Sequence, residues 1–326
     1  MLELISLSMD STTISGYGTA EDIERAVSEM GCDGLEIIWG GKEFPKKIPC
    51  AGALGYHLLF YPDWVDFWHE DTGRLIKKMG SLDTVEKLYG GLTRDSLIRQ
   101  YLEDMDRAQL AGARYVVFHV SDVSLEEGYT YKWEHSDKEV IDAAAELINT
   151  LIGRKDYNFE ILLENQWWPG FSFTKPEMTQ YLLDSVDSPR KGIMLDTGHL
   201  MNANTSLRTQ REGVDYIHRM LDIHGELSGF IRGFHFHYSL SGEYVEKHTG
   251  RLPEWVSDDY FDRFGQNYSH ILKIDTHRPW TDPAAAELID RVRPAYLTHE
   301  LSAKDAAARR DAVLTQRRTI AEGKRG

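Results

Sequence analysis

The chain has 326 residues, 41% hydrophobic and 27% charged, a composition that suits one compact domain over 1–326 and excludes a fibrous or disordered chain. Its formal charge of -15, from 52 acidic against 37 basic residues, repels phosphate polyanions and disfavours nucleic acid as a partner, although bound divalent cations would reverse the sign locally and admit small anions. Cys32 and Cys50 are too few for a disulfide framework, residues 1–10 lack a leader pattern, and no apolar stretch nears the roughly 20 residues of a membrane span, so a cytoplasmic protein outside the membrane is expected.

Short apolar runs alternate with amphipathic stretches along the whole chain. Residues 2–7 read as a strand, followed by a helix capped at Thr19, with Glu21 and Asp22 in its first turn, that ends at Gly31. Strands are predicted at 34–38 and 56–60, then a broken helical region over 64–89. A helix over 93–111 stops at Gly112 before the strand 115–119, which is rich in β-formers. Helix 137–151 precedes strand 159–164, helix 176–183 precedes 192–196, and helix 213–225 precedes 231–237. The stretch 239–268 is an insertion between strand seven and its helix, placed to act as a lid. Helix 283–292, strand 294–300 and a charged helix 303–322 complete eight units. This regular alternation predicts a parallel sheet closed as a (β/α)8 TIM barrel with its site at the C-terminal strand ends; a doubly wound open sheet is the alternative.

From the third strand onward each apolar run ends near a metal-capable side chain. In Met194-Leu195-Asp196-Thr197-Gly198-His199 a three-residue step lets Asp196 and His199 converge on one cation. The blander reading is a helix-capping Asp beside a surface His. Glu164 closes the run 161–163 and needs a partner, either a cation or an arginine at the barrel rim. Glu300 ends strand eight, and alternation turns it away from His299, so one of the two faces the axis. His235 and His237 share a face, predicted as the inner one because Phe234 and Phe236 suit the helix-covered exterior. His57 and His119 sit at strand ends, each alone more often structural than a ligand. Asp275 and His277 are spaced by two in a loop; Glu246 and His248 have the same spacing but read as a solvated face. Arg309, Arg310, Arg317 and Arg318 read as a charge match to a helix end.

These residues, above all Leu195-Asp196-Thr197-Gly198-His199, resemble the xylose isomerase-like TIM-barrel superfamily, which includes sugar isomerases and epimerases and apurinic endonucleases of the endonuclease IV type (AP endonuclease family 2). The resemblance implies a single-metal site on Glu164, Asp196, His235 and Glu300, as in the sugar epimerases. It also implies a trinuclear zinc site that adds His57, His119, His199, Asp275 and His277. The acidic balance, the insertion before Asp275, and His237 depart from the pattern.

Two chemistries follow from that resemblance. In the first, one divalent cation polarises neighbouring oxygens of a small sugar-like substrate while Glu164 and Glu300 move a carbon-bound proton, with His237, Trp167 and Trp168 against the substrate. Packing beneath a loop is the plain alternative for the tryptophans. In the second, two or three cations drive hydrolysis of a phosphoester. The expectation places isomerisation or epimerisation narrowly first, with the cofactor one to three ions of Zn, Mn, Mg or Fe. An iron-dependent oxidase and a barrel that binds ligand without catalysis are further readings, and a homo-oligomer is compatible with all of them.

Overall fold

The computed structural model describes residues 1–41, 48–50 and 54–325. Among them eight parallel strands form β1 (Leu2–Ser8), β2 (Gly34–Ile38), β3 (Leu54–His57), β4 (Tyr115–His119), β5 (Glu160–Glu164), β6 (Lys191–Asp196), β7 (Ile231–His235) and β8 (Tyr296–His299). They close into a barrel in chain order, with β8 pairing back onto β1. Helices surround the barrel, as the alternating pattern requires. Several begin with a reciprocal cap: Thr19, Ser124, Ser136 and Thr209 each exchange hydrogen bonds with the acid three residues on, Asp22, Glu127, Glu139 and Glu212. Such caps satisfy amides that the first helical turn leaves free.

Two layers of core follow from strand parity. Residues facing outward, such as Val116, Phe118, Phe234 and Phe236, pack under the helices. Those facing inward plug the lower barrel with Leu4, Tyr115, Val117, Leu162, Met194 and Tyr296. Gly55 on β3 makes room for this plug, since a Cβ there would lie 2.3 Å from the Tyr115 ring. The upper inward positions carry the polar side chains, so the barrel is apolar at one end and chemically equipped at the other.

The boundaries differ from the sequence pattern in instructive places. β3 runs over Leu54–His57 rather than 56–60, which makes His57 its last residue. An additional helix, Ser11–Tyr17, follows β1, with the Asp10 side chain accepting from the amides of Thr12 and Thr13. β7 stops at His235, and His237 lies beyond it. The insertion is helical, with segments Gly242–His248 and Tyr260–Ile271. An antiparallel bridge between Tyr238 and Arg278 closes its base, so the excursion contains Asp275 and His277. The C-terminal arginines do not form a helix-end cluster: helix Ala306–Gly323 has no basic residue in its last turn, Arg317 pairs with Glu3, and Arg309 donates to the carbonyls of Ser6 and Leu301. No helix among the described residues is long and apolar enough to cross a membrane.

A candidate metal centre at the C-terminal rim

Strand register sets the first contacts. β4 and β5 pair His119 with Glu164, and β6 and β7 pair Asp196 with His235; Glu164 itself pairs with Met194, so the two pairs are offset by two residues at the barrel mouth. Three adjoining groups result. In the first, His57 Nε2 and His119 Nε2 lie 3.3 and 3.0 Å from Glu164 Oε2. In the second, His235 Nδ1 lies 3.2 Å from Glu164 Oε1, 3.7 Å from Asp196 Oδ2 and 2.9 Å from Glu300 Oε2. In the third, His199 Nε2 lies 3.2 Å from Asp275 Oδ2, on which His277 Nε2 also converges, and His237 completes the set. Within each group the donor atoms lie within 4.8 Å of one another.

These spacings suit cations. A tetrahedral ion with bonds of about 2.0 Å puts its ligand atoms roughly 3.3 Å apart, close to the separations seen here. Glu164 Oε2, Glu300 Oε2 and His237 Nδ1 are buried with no hydrogen-bond partner, and a buried polar atom left so costs about 1–3 kcal/mol. Shared positive charge at the three groups would remove that cost. All the sequence-proposed ligands meet here: His57, His119, Glu164, Asp196, His199, His235, Asp275, His277 and Glu300.

The local fold explains the Asp-Thr-Gly-His segment. Asp196 Oδ1 accepts from the His199 amide at 2.6 Å and caps helix Thr197–Asn202, while Oδ2 faces His235 and His237. The capping reading of Asp196 thus holds on one oxygen, and the other is left facing the two histidines. Thr197 Oγ1 donates to the His235 and His237 carbonyls, fixing the chain where β7 ends. Gly198 is required by close approach, for a Cβ there would lie 2.0 Å from His237 Cε1. Gly198→Ala is expected to displace His237 and to lower stability by about 1–3 kcal/mol through overpacking. A melting temperature equal to that of the parent chain would refute the close-contact argument.

Other candidates land elsewhere. His299 points outward to Glu3 and Gln316, which leaves Glu300 facing the axis. Glu246 is exposed and pairs with Arg208. Trp167 is buried with Val245 and Ile274 beneath the insertion, and its ring centroid is 5.2 Å from that of His199; Trp168, partly buried, packs on it at 4.2 Å. His237 is fully buried and stacked under His277 at 4.1 Å, within the third group.

Sequence reasoning missed the supports. Glu36, fully buried on β2, has Oε1 2.8 Å from His235 Nε2, while Oε2 accepts from the hydroxyls of Tyr115 and Thr298. Its signal was present: it is the one charged residue of Gly34–Ile38, alternating with Leu35 and Ile37. Asn165 bonds the backbone of Asp196 through both ends of its amide, and Gln166 Nε2 sits 3.0 Å from His199 Nδ1.

The carboxylates and imidazoles polarise one another. Burial alone would raise the Glu164 carboxyl, but His119 and His235 hold it well below the usual range. Burial likewise opposes charge on His199, yet Asp196 and Asp275 raise it well above normal, and Asp275 pushes His277 up to about 9 against the same burial penalty. Without cations these imidazoles therefore carry protons at neutral pH. Loading must expel those protons, so cation affinity is expected to fall as pH drops from about 9 towards 6. Titration in weakly buffered solution should show proton release; loading without release would contradict it.

The chain is a closed (β/α)8 barrel with three carboxylate and imidazole groups at its C-terminal rim that could hold cations. The family model described as xylose isomerase-like TIM barrel matches residues 25–309, and the chain belongs to that family. Solved structures of similar fold include endonuclease IV from Thermus thermophilus, at 12% identity and TM-score 0.54, with 99% of this chain and 100% of that one covered. An L-ribulose 3-epimerase matches at 10% identity and TM-score 0.52 over 98% and 95% of the two chains. The IOLI protein with a binding zinc atom matches at 12% identity and TM-score 0.50 over 99% and 98%.

Proposed function

We propose that the chain is a multinuclear metal-dependent phosphoester hydrolase. The observation that carries this reading is the two-sided use of Glu164, whose Oε2 serves His57 and His119 while Oε1 serves His235. One carboxylate shared between adjacent groups suits neighbouring cations. A single-cation isomerase needs Glu164, Asp196, His235 and Glu300 and leaves the burial of His57, His199, Asp275 and His277 without return. The order expected from sequence is therefore reversed.

Divalent cations held there supply Lewis acidity toward phosphoryl oxygens and make a bound water acidic enough to ionise near neutral pH. The chain's own residues do the positioning. Asp196 and Asn165 lock the end of β6, Glu36 orients His235, and Asp275 gathers His199 and His277. The expected substrate is a small phosphoester, because the charge of -15 opposes long polyanions.

The second reading is isomerisation or epimerisation of a sugar-like molecule. It is favoured by one feature, that Glu164 and Glu300 belong to the same group and could both act on a carbon-bound proton of a molecule held there. Metal analysis of protein purified without chelator separates the two. Two or three equivalents, with chelator-sensitive cleavage of bis(4-nitrophenyl) phosphate, support the hydrolase. One equivalent, with deuterium exchange from solvent into a ketose, overturns it in favour of the isomerase.

A further inference from the structure

The excursion after β7 builds a second cavity outside the metal centre. Helices Gly242–His248 and Tyr260–Ile271, the turn between them and Tyr129 enclose about 580 Å³. Lys247, Arg251 and Lys273 line it, and Asp262 is the one carboxylate in its wall. Among the described residues none of the three cations lies within ion-pair distance of a carboxylate. Lys273 Nζ lies 5.8 Å from the centroid of the Tyr244 ring, and the three cations lining one space create a local positive potential that an anion relieves.

The wall behind them is rigid. Tyr244 Oη meets His270 Nδ1 at 2.9 Å, the Tyr129 and His270 rings stack at 4.1 Å, and the Gly250 amide donates to the Tyr129 carbonyl. Leu252 and Val256, 46% and 70% exposed, add an apolar margin. A cavity lined by three exposed cations and an apolar edge suits a ligand having both a multiply charged head and a planar or apolar body. Three cations exceed what one carboxylate needs and match a phosphate dianion. The cavity is separate from the metal centre, because Val245, on the same helix as Lys247, packs against Trp167 and Ile274 on the side towards His199.

We propose that this cavity binds a phosphorylated small molecule of the nucleotide class, at a site distinct from the metal centre. The test is calorimetric titration of the cation-loaded full chain with AMP, inorganic phosphate and adenosine at low ionic strength. AMP is expected to bind more tightly than phosphate or adenosine, and to weaken as salt is added. In the triple variant Lys247→Ala, Arg251→Ala, Lys273→Ala its affinity should fall at least about tenfold, with metal content and melting temperature unchanged. A Lys304→Ala control should bind as the parent does. The proposal is overturned if AMP binds the triple variant equally well, which would place it at the metal centre, if adenosine matches AMP, or if AMP fails to bind at millimolar concentration. Metal content is read on the same samples, so failure here is distinguishable from failure of the hydrolase reading.

Discussion

Glu164→Gln is expected to strip cations from two of the three groups at once. The parent carboxylate presents one oxygen to His57 and His119 and the other to His235, so an amide replaces an acceptor with a donor and removes the charge that both groups share. The group of His199, His237, Asp275 and His277 does not include it; Glu164 Oε1 meets His199 only at Nδ1, 3.2 Å away and opposite the nitrogen that faces Asp275, so this group should keep its ion. Bound metal should fall from about three equivalents towards one, and turnover by at least ~100-fold, the upper end of what the loss of a mere supporting contact costs a metal site. The two carbon frames are nearly isosteric, so circular dichroism should be unchanged. Parent metal content in this variant would sink the bridging argument.

The second large effect is expected at Glu36, which touches no cation. Its carboxylate faces His235 Nε2 and thereby leaves Nδ1 to point at Glu164, Asp196 and Glu300. A carboxylate behind a ligand imidazole fixes its orientation and raises its basicity, and such partners are worth about 10–100-fold in metal affinity. Glu36→Gln should lose that factor at the central group, while the new amide oxygen still accepts from Tyr115 and Thr298 and keeps the barrel plug in place. Competition with a chelator of known affinity measures the loss, and thermal melting of the metal-free variant measures the fold. A lower melting point with unchanged metal affinity would assign Glu36 a purely structural role.

Much of this was legible from residue order alone, for identifiable reasons. Apolar runs such as Tyr115–His119 and Glu160–Glu164 end in a polar residue because a parallel strand is buried along its length and meets the polar groups of the barrel mouth only at its C-terminal tip. Parity groups side chains by face, which is why His235 and His237 could be placed together on the inner side, while for Glu300 and His299 it says only that one of the two faces the axis. The Asp-Thr-Gly-His segment was readable because cap and ligand lie within one turn of helix.

What the chain order determined was therefore local: eight strand and helix units, the inward parity of their polar ends, and the stock of carboxylates and imidazoles. Tertiary structure alone decided how those groups divide. His57 and Glu164 are 107 positions apart, yet barrel closure brings them to 3.3 Å, and no periodicity encodes that distance. It was register between strands that set Glu164 between His119 and His235, the bridge from Tyr238 to Arg278 that swung Asp275 and His277 over the mouth, and a buried strand position that put Glu36 behind His235. Spacing along a chain limits only near neighbours; contacts between remote segments are set by packing and pairing of the whole barrel.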